Sequence, residues 1–427
     1  MQKLEKEMKS STIPNRKRYF KRNTCRLCDS SDVEKVVDFV ATPVGDHFVS
    51  KDQLEKAQDV YPLDLHFCHQ CGQLQLLDGV SPEFIYKDYL YETATSIGLV
   101  EHFRGQAQNL IARLELKKDD LIIDIGCNDG SFLEYFYKMG MRTLGVEPAS
   151  AIADKVKAKN INVINDFFSS ELSREIKDRY GPAKMVAANN VMANVEDMSD
   201  FIKGVGLLLA DDGVFIFESG YIVDTINNSV IDNIYHEHFF YFRLNPLVKF
   251  LRRHGLEVFE VQRVDTKGGS LRGMAQKIGG KRPVSFSVLE RMEMERLSGY
   301  ESAQFYKNFS LKMQAGRVEL LSLLKKLKNE GKKISGYGAS VGVTTLIYYY
   351  GVDKYLDVLF DDNPIKQGLY SPGHHIPVIP SEEIYGRSPD YIICFPWRYK
   401  DPILKRHQKF IRNGGHFIVP LPKVEII

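Results

Sequence analysis

Three groups of residues have the types and spacing that chemistry needs. Cys25 and Cys28 form a C-x-x-C pair, and Cys68 and Cys71 form a second one after a gap of 39 residues. Each turn can place two thiolates on one metal, so the two together read as a tetrahedral Zn²⁺ site. Four thiolates leave no open coordination position, which makes the expected metal structural. His66 and His69 flank the second pair and read as bystanders. The second group is His236-Glu237-His238. HExxH spacing is absent, and H-E-H on a helix cannot put both imidazoles on one face. General acid–base work by an imidazole poised near neutrality beside a carboxylate suits it better. The third group lies between Leu121 and Pro148, where the glycine turn Asp124-Ile125-Gly126-Cys127-Asn128-Asp129-Gly130 precedes Glu147. A carboxylate in such a place can accept two hydrogen bonds from a ribose diol.

The elements that position this third group are short. Leu121-Ile122-Ile123 reads as a buried strand, Phe132 to Met139 as a helix and Thr143 to Val146 as a second strand. Such a unit binds a ribose-bearing cofactor at its strand ends. The turn is not a dinucleotide fingerprint, because Asn128 stands where GxGxxG has its second glycine. Acidic Asp129 would repel a pyrophosphate and favours the cationic, phosphate-free end of S-adenosylmethionine. The stretch resembles motif I of the class I methyltransferases, with Glu147 as the ribose acid and Pro148 following it. On that resemblance Asp166 accepts from the adenine amine and Phe167 packs on the base. The strand from Met185 to Met192, carrying Asn189 and Asn190, then ends facing the sulfonium.

A helix from about Ser96 to Leu114 precedes this unit, and a further strand, Gly213 to Glu218, follows it. Strands and helices alternating at this length call for a parallel sheet covered on both faces. Between the cysteine pairs the sequence suggests a small β-rich module. The tyrosine-dense Phe84–Tyr91 either packs that module or lines a polar pocket. Lys267-Gly268-Gly269-Ser270-Leu271-Arg272 closes the middle domain, and one long polar helical stretch, Val288 to Asn329, acts as a connector. A second βαβ pattern runs through Ile334–Ser340, Val343–Tyr350 and Leu356–Asp362, with later strands at Tyr391–Phe395 and His416–Val419. The reading is an α/β chain with an N-terminal arm and zinc module (1–85), a central class I S-adenosylmethionine methyltransferase sheet of Rossmann type (86–270), and a second Rossmann-like domain (271–427).

A length of 427 residues suits two or three domains. Lys and Arg number 57 against 55 Asp and Glu, so nothing in the charge demands nucleic acid. No apolar run reaches the roughly 18 residues of a membrane span. Residues 1–23 lack an apolar core and read as a basic surface arm rather than a secretory leader. A cytoplasmic enzyme is expected, and that compartment disfavours disulfides.

From Cys25 onward the ordered motifs resemble the sugar C-methyltransferases that act on nucleotide-linked 4-keto-hexoses. They are the paired CxxC, Asp46-His47-Phe48, IGCNDG at 125–130, GVEP at 145–148, NDFF at 165–168, EHFF at 237–240, GGSLR at 268–272, GYGA at 336–339, NPIKQGLYSPGHHIPV at 363–378 and FPW at 395–397. The resemblance implies proton removal beside a ketone and methylation of the enolate carbon, expected at C3. His238 would be the base, Glu237 its orienter or a sugar ligand, and Tyr89 and Tyr91 donors to the enolate oxygen. Tyr235 would shape the pocket, while Asn194, Arg272, Tyr337, Lys366 and Arg398 would bind substrate. Three positions depart from the family pattern: Asn194 replaces a frequent histidine, Gly342 a usual lysine, and Arg398 a common asparagine. Competing readings are a sugar O- or N-methyltransferase, a nicotinamide oxidoreductase using the GYGAS loop, and a zinc-tethered binding protein on a degenerate fold.

Overall fold

The structure is a computed structural model, and it describes residues 18–86, 92–96 and 98–427. Its largest sheet grows from the apolar run at Leu121. That run is buried along its whole length as strand β1, Leu121–Ile125. Around it stand β2 (Arg142–Val146), β3 (Asn162–Ile164), β4 (Ala183–Asn189), β5 (Leu209–Gly220), β6 (Leu256–Val264) and β7 (Ser270–Lys277). The order across the seven-stranded sheet is β3-β2-β1-β4-β5-β7-β6, and β7 alone runs antiparallel to its neighbours. Chain direction along the sheet reverses between β1 and β4, which opens a crevice at their carboxyl ends. This is the class I methyltransferase sheet. Because β7 lies inside it, the sheet extends to Lys277 and a boundary at 270 would cut it.

The zinc module is not self-contained either. Its strands Val33–Val37, Leu65–Cys68 and Leu74–Leu76 form an antiparallel sheet whose fourth strand, Phe240–Tyr241, comes from the methyltransferase domain. The backbone of Leu76 donates to the carbonyl of Phe239 at 3.0 Å, extending the pairing. A second ribbon pairs Tyr19–Lys21 with Asp78–Val80.

The C-terminal sheet runs Val378–Pro380, Leu359–Asp361, Ile334–Tyr337, Tyr391–Cys394, His416–Val419 and Glu425–Ile426, with the last strand antiparallel and the others parallel. The expected single connector is two helices, Phe286–Leu297 and Ala303–Asn329. They separate where Gly299 takes φ +82°, a left-handed turn that glycine adopts without steric cost. Zinc module and C-terminal domain meet directly: the Thr344 hydroxyl donates to the Gly45 carbonyl at 2.7 Å, and the Lys366 ammonium pairs with Asp46 at 2.6 Å. Among the described residues no helix is long and apolar enough to cross a membrane.

Candidate active site

The carboxyl ends of β1, β2 and β4 wall a cleft of about 350 Å³. Asp124, Gly126, Asn128, Glu147, Pro148, Asp166, Phe167, Asn189 and Asn190 line it, as the sequence suggests for a cofactor, and Asn194, Tyr235, Glu237 and His238 line it from the other side. The turn reaches this shape through left-handed backbone at Gly126 and Asn128. A Cβ on Gly126 would lie 2.5 Å from Val191 Cγ2, so only glycine fits there. Glu147 is nearly buried, and its two oxygens accept from the backbone amides of Asn128 (3.0 Å) and Ala149 (2.9 Å), which fixes the carboxylate at the end of β2. Burial raises its pKa, and burial raises that of Asp124 further, with the Glu147 charge adding to it.

Four buried polar atoms of the lining have no partner among the described residues: Asp124 Oδ1, Asn189 Nδ2, Asn194 Oδ1 and Ser219 Oγ. Buried polar groups are ordinarily hydrogen-bonded, so this mixed set of acceptors and donors fits a polar ligand. Apolar Phe103, Val146 and Phe201 share the same walls. A molecule with an amino acid end, a ribose and a flat base suits that lining.

The segment 235–239 is a turn, not a helix, closed by the His238 amide on the Tyr235 carbonyl at 3.0 Å. The two histidines therefore diverge. His236 Nε2 lies 3.2 Å from the Tyr61 carbonyl, and its ring packs edge-on to Tyr61, outside the cleft. His238 faces the cleft, its Nδ1 2.9 Å from the Asn233 carbonyl and its ring 4.2 Å from that of Tyr235. Since a carbonyl can only accept, Nδ1 carries the proton and Nε2 holds the lone pair. Burial, helped by the nearby Lys267 charge, brings the His238 pKa down to about 4 against an upward pull from the Asn233 carbonyl. The imidazole is neutral at pH 7.

Five expected site residues lie elsewhere. The Asp129 carboxylate turns inward, accepting from the Ala94 amide (2.9 Å) and from the Ser131 hydroxyl (2.6 Å), because it fastens the 92–96 segment to the cofactor turn. Arg272 donates twice to Glu218, at 2.9 and 2.7 Å, since that carboxylate is fully buried and needs a counter-ion. The Tyr337 hydroxyl donates to Asp362 at 2.8 Å within the C-terminal domain. Lys366 is taken up by Asp46, 4.2 Å over the Phe48 ring. Arg398 pairs with Asp232 at 2.9 Å and donates to the Lys267 carbonyl at 3.3 Å, behind the cleft wall. Tyr89 and Tyr91 lie outside the described residues.

Tyr86, Lys267 and Asn233 also line the cleft, and the sequence reading assigns none of them a role in the site. Tyr86, whose hydroxyl accepts from Asn194 Nδ2 at 2.5 Å, sits in the tyrosine-dense stretch, where composition marked the place. Lys267 opens the KGGSLR motif, and its left-handed backbone (φ +51°) is costly for a non-glycine residue. Asn233 acts through its carbonyl, for which no sequence signal exists.

The four cysteines converge as expected, with their sulfurs all within 4.8 Å of one another. Cys25 and Cys71 sulfurs are 3.5 Å apart and those of Cys28 and Cys68 3.6 Å. Zn–S bonds of about 2.3 Å in a tetrahedron separate sulfurs by roughly 3.8 Å, so the cluster has the right size for Zn²⁺. His66 and His69 bond Asp64 and Glu34 instead and stay outside.

Strand order and a cleft at the β1/β4 reversal define an S-adenosylmethionine-dependent methyltransferase with a zinc-binding module. Three family descriptions match in succession: a zinc binding domain over residues 25–86, a methyltransferase domain over 99–261, and the C-methyltransferase C-terminal domain over 265–422. The C-methyltransferase NovU of Streptomyces niveus is 31% identical over 405 residues, 94% of this chain and 96% of that one. The chain belongs to this C-methyltransferase family. Among solved structures, magnesium protoporphyrin IX methyltransferase from Synechocystis with bound S-adenosylmethionine is 15% identical, covering 46% of this chain and 88% of that one at a TM-score of 0.33. A methyltransferase from Clostridium acetobutylicum is 12% identical, covering 42% and 92% at a TM-score of 0.34. Likeness at that level carries no argument; the fold rests on the sheet itself.

Proposed function

We propose that the enzyme methylates carbon next to the ketone of a nucleotide-linked 4-keto sugar, with C3 the carbon attacked. The observation that carries this reading is the fixed tautomer of His238, which presents a neutral Nε2 to the cleft that holds the cofactor residues. Bound S-adenosylmethionine supplies an electrophilic methyl carbon. Oxygen or nitrogen nucleophiles need little more than positioning, whereas carbon must first lose a proton. His238 Nε2 takes that proton, and the electron pair moves into the enolate. A base this weak needs the enolate oxygen stabilised by nearby donors, as in an oxyanion hole. Tyr89 and Tyr91 are proposed for that task, with Glu237 and Tyr235 shaping the sugar site and Asn194 offering its orphaned Oδ1 to a sugar hydroxyl. Glu147, Asp124, Asn128, Asp166 and Phe167, with the amides Asn189 and Asn190, are proposed to hold the cofactor.

Incubating the protein and S-adenosylmethionine with a panel of nucleotide-linked 4-keto sugars in D₂O tests the reading. A carbon-bound methyl, with deuterium uptake beside the ketone that His238→Asn abolishes, is the expected result. Methyl on oxygen or nitrogen without exchange would sink it.

A further inference from the structure

We propose that Arg26, inside the first zinc knuckle, is a positioning residue that couples the metal centre to the turn carrying His238; this rests on the reading of His238 as the base. Arg26 is 4% exposed, yet its Nη1 and Nη2 have no partner among the described residues. Its Nε donates to the Leu76 carbonyl at 2.7 Å, and its guanidinium lies 4.4 Å from the Phe239 ring and 5.7 Å from Phe20. Burying a cation without a paired carboxylate is expensive, and an apolar side chain would fill the same space more cheaply. What a cation adds is attraction to the two neighbouring rings, whose centroids lie 6.0 Å apart, with Glu196 and Asp78 as more distant opposite charges.

The contacts run without a gap from metal ligand to base. Gln75 Nε2 donates to the Cys25 sulfur at 3.2 Å, while its Oε1 accepts from the Arg26 backbone amide at 2.7 Å. Arg26 lies over Phe239, the residue after His238. Phe239 in turn joins both domains: its carbonyl accepts from Leu76, and its amide donates to the Ala193 carbonyl at 2.7 Å. The cofactor residues stand on strand ends of a different sheet. Loosening the Arg26–Phe239 contact therefore displaces the base while leaving the cofactor half of the cleft in place. A contiguous chain of packed and bonded groups is the physical means for such coupling.

The test uses the full-length, zinc-loaded protein and Arg26→Met. Zinc content, S-adenosylhomocysteine affinity by calorimetry, and the His238 imidazole cross-peak in histidine-labelled protein, assigned with His238→Asn, are read together with turnover. One zinc per chain and cofactor affinity within about twofold of the parent are expected, with a displaced cross-peak. Turnover should fall by between about tenfold and a hundredfold at little-changed KM, the range that misplacement of a reacting group produces. Arg26→Lys, which keeps a cation over the ring, should restore most of it. An unmoved cross-peak with parental kcat in Arg26→Met overturns the proposal. Should Arg26→Met lose its zinc or fail to fold, Phe239→Leu removes the other half of the contact without touching the knuckle, and a parental cross-peak there overturns it equally. Deuterium exchange surviving His238→Asn would instead refute the base assignment, an outcome distinct from the cross-peak result.

Discussion

The Nδ1 of His238 lies 2.9 Å from the carbonyl oxygen of Asn233, five residues earlier in the chain. That contact sets the tautomer, and burial sets the charge: with a pKa near 4 the ring stays neutral far below the pH at which an exposed histidine protonates. The acidic limb of a kcat/KM profile should therefore lie near pH 4, leaving activity flat between about pH 5 and 8 where the fold survives. A limb near 6.5, the ordinary histidine value, would mean that another or a solvated group is the base.

The same burial has a consequence for stability. His236 and His238 both have pKa values lowered to about 4 by burial. In the unfolded chain each protonates near 6.5, so between about pH 6.5 and 4 the unfolded state binds more protons. Stability present above pH 6.5 is then lost as pH falls toward 4, by an amount on the order of 3 kcal/mol for each histidine. Denaturant melts across that window should show the decline. In the double variant His236→Asn, His238→Asn the slope should flatten, and an unchanged slope would assign acid sensitivity to carboxylates instead.

Much of this site is legible in the sequence where local pattern carries the information. The run Leu121–Ile123, the glycine turn and Glu147 lie within one βαβ unit, so spacing alone places them. Two C-x-x-C pairs converge because each is a tight turn whose metal geometry is stereotyped. Long-range pairing is not written in that way. Nothing local in EHFF reveals that Phe240–Tyr241 completes the zinc module's sheet, or that Asp46 awaits Lys366 across 320 residues. The resemblance makes Arg272, Lys366 and Arg398 substrate ligands, and in the fold each pairs with a carboxylate of the protein, a long-range contact that no local pattern announces. The sequence points the Asp129 carboxylate at the cofactor, whereas in the fold it accepts from the Ala94 amide of a neighbouring segment.

Glu147 offers the direct measure of cofactor binding. Its carboxylate is anchored by two backbone amides, and a ribose diol would add two charge-assisted hydrogen bonds. Glu147→Gln removes the charge at nearly constant shape, and such bonds contribute about 1.5–3 kcal/mol each. Calorimetry with S-adenosylhomocysteine should show affinity lowered at least about tenfold. Affinity within about twofold of the parent would remove Glu147 from the cofactor site.

Removing a zinc ligand should disturb more than the module that holds it. Cys68 ends the strand Leu65–Cys68, which pairs with Leu74–Leu76, and that strand pairs with Phe240–Tyr241. Cys68→Ser should lower zinc content and Tm together, and it should weaken deuterium exchange at the sugar more than S-adenosylhomocysteine binding. Full zinc content in this variant, measured by atomic spectroscopy, would contradict the four-thiolate site.

Gly342 takes the place where the resemblance gives a usual lysine, and packing shows why no side chain is present. It is the second residue of the helix Val341–Tyr350, in its first turn where that helix meets the 231–233 segment, and a Cβ there would lie 2.2 Å from the Asp232 carbonyl oxygen. The obstacle is backbone, so no rotamer relieves it. The same Asp232 holds Arg398 at 2.9 Å, and Arg398 reaches the Lys267 carbonyl, so the close approach at Gly342 sets the seam between the C-terminal domain and the cleft wall. Gly342→Ala should therefore cost about 1–3 kcal/mol by overpacking, even though alanine favours helices over glycine by up to about 1 kcal/mol. Thermal melts decide the sign: a raised Tm would mean that helix propensity wins and the seam yields, whereas a lowered Tm with weakened sugar-nucleotide binding would place the Asp232–Arg398 pair in the path from the C-terminal domain to the site.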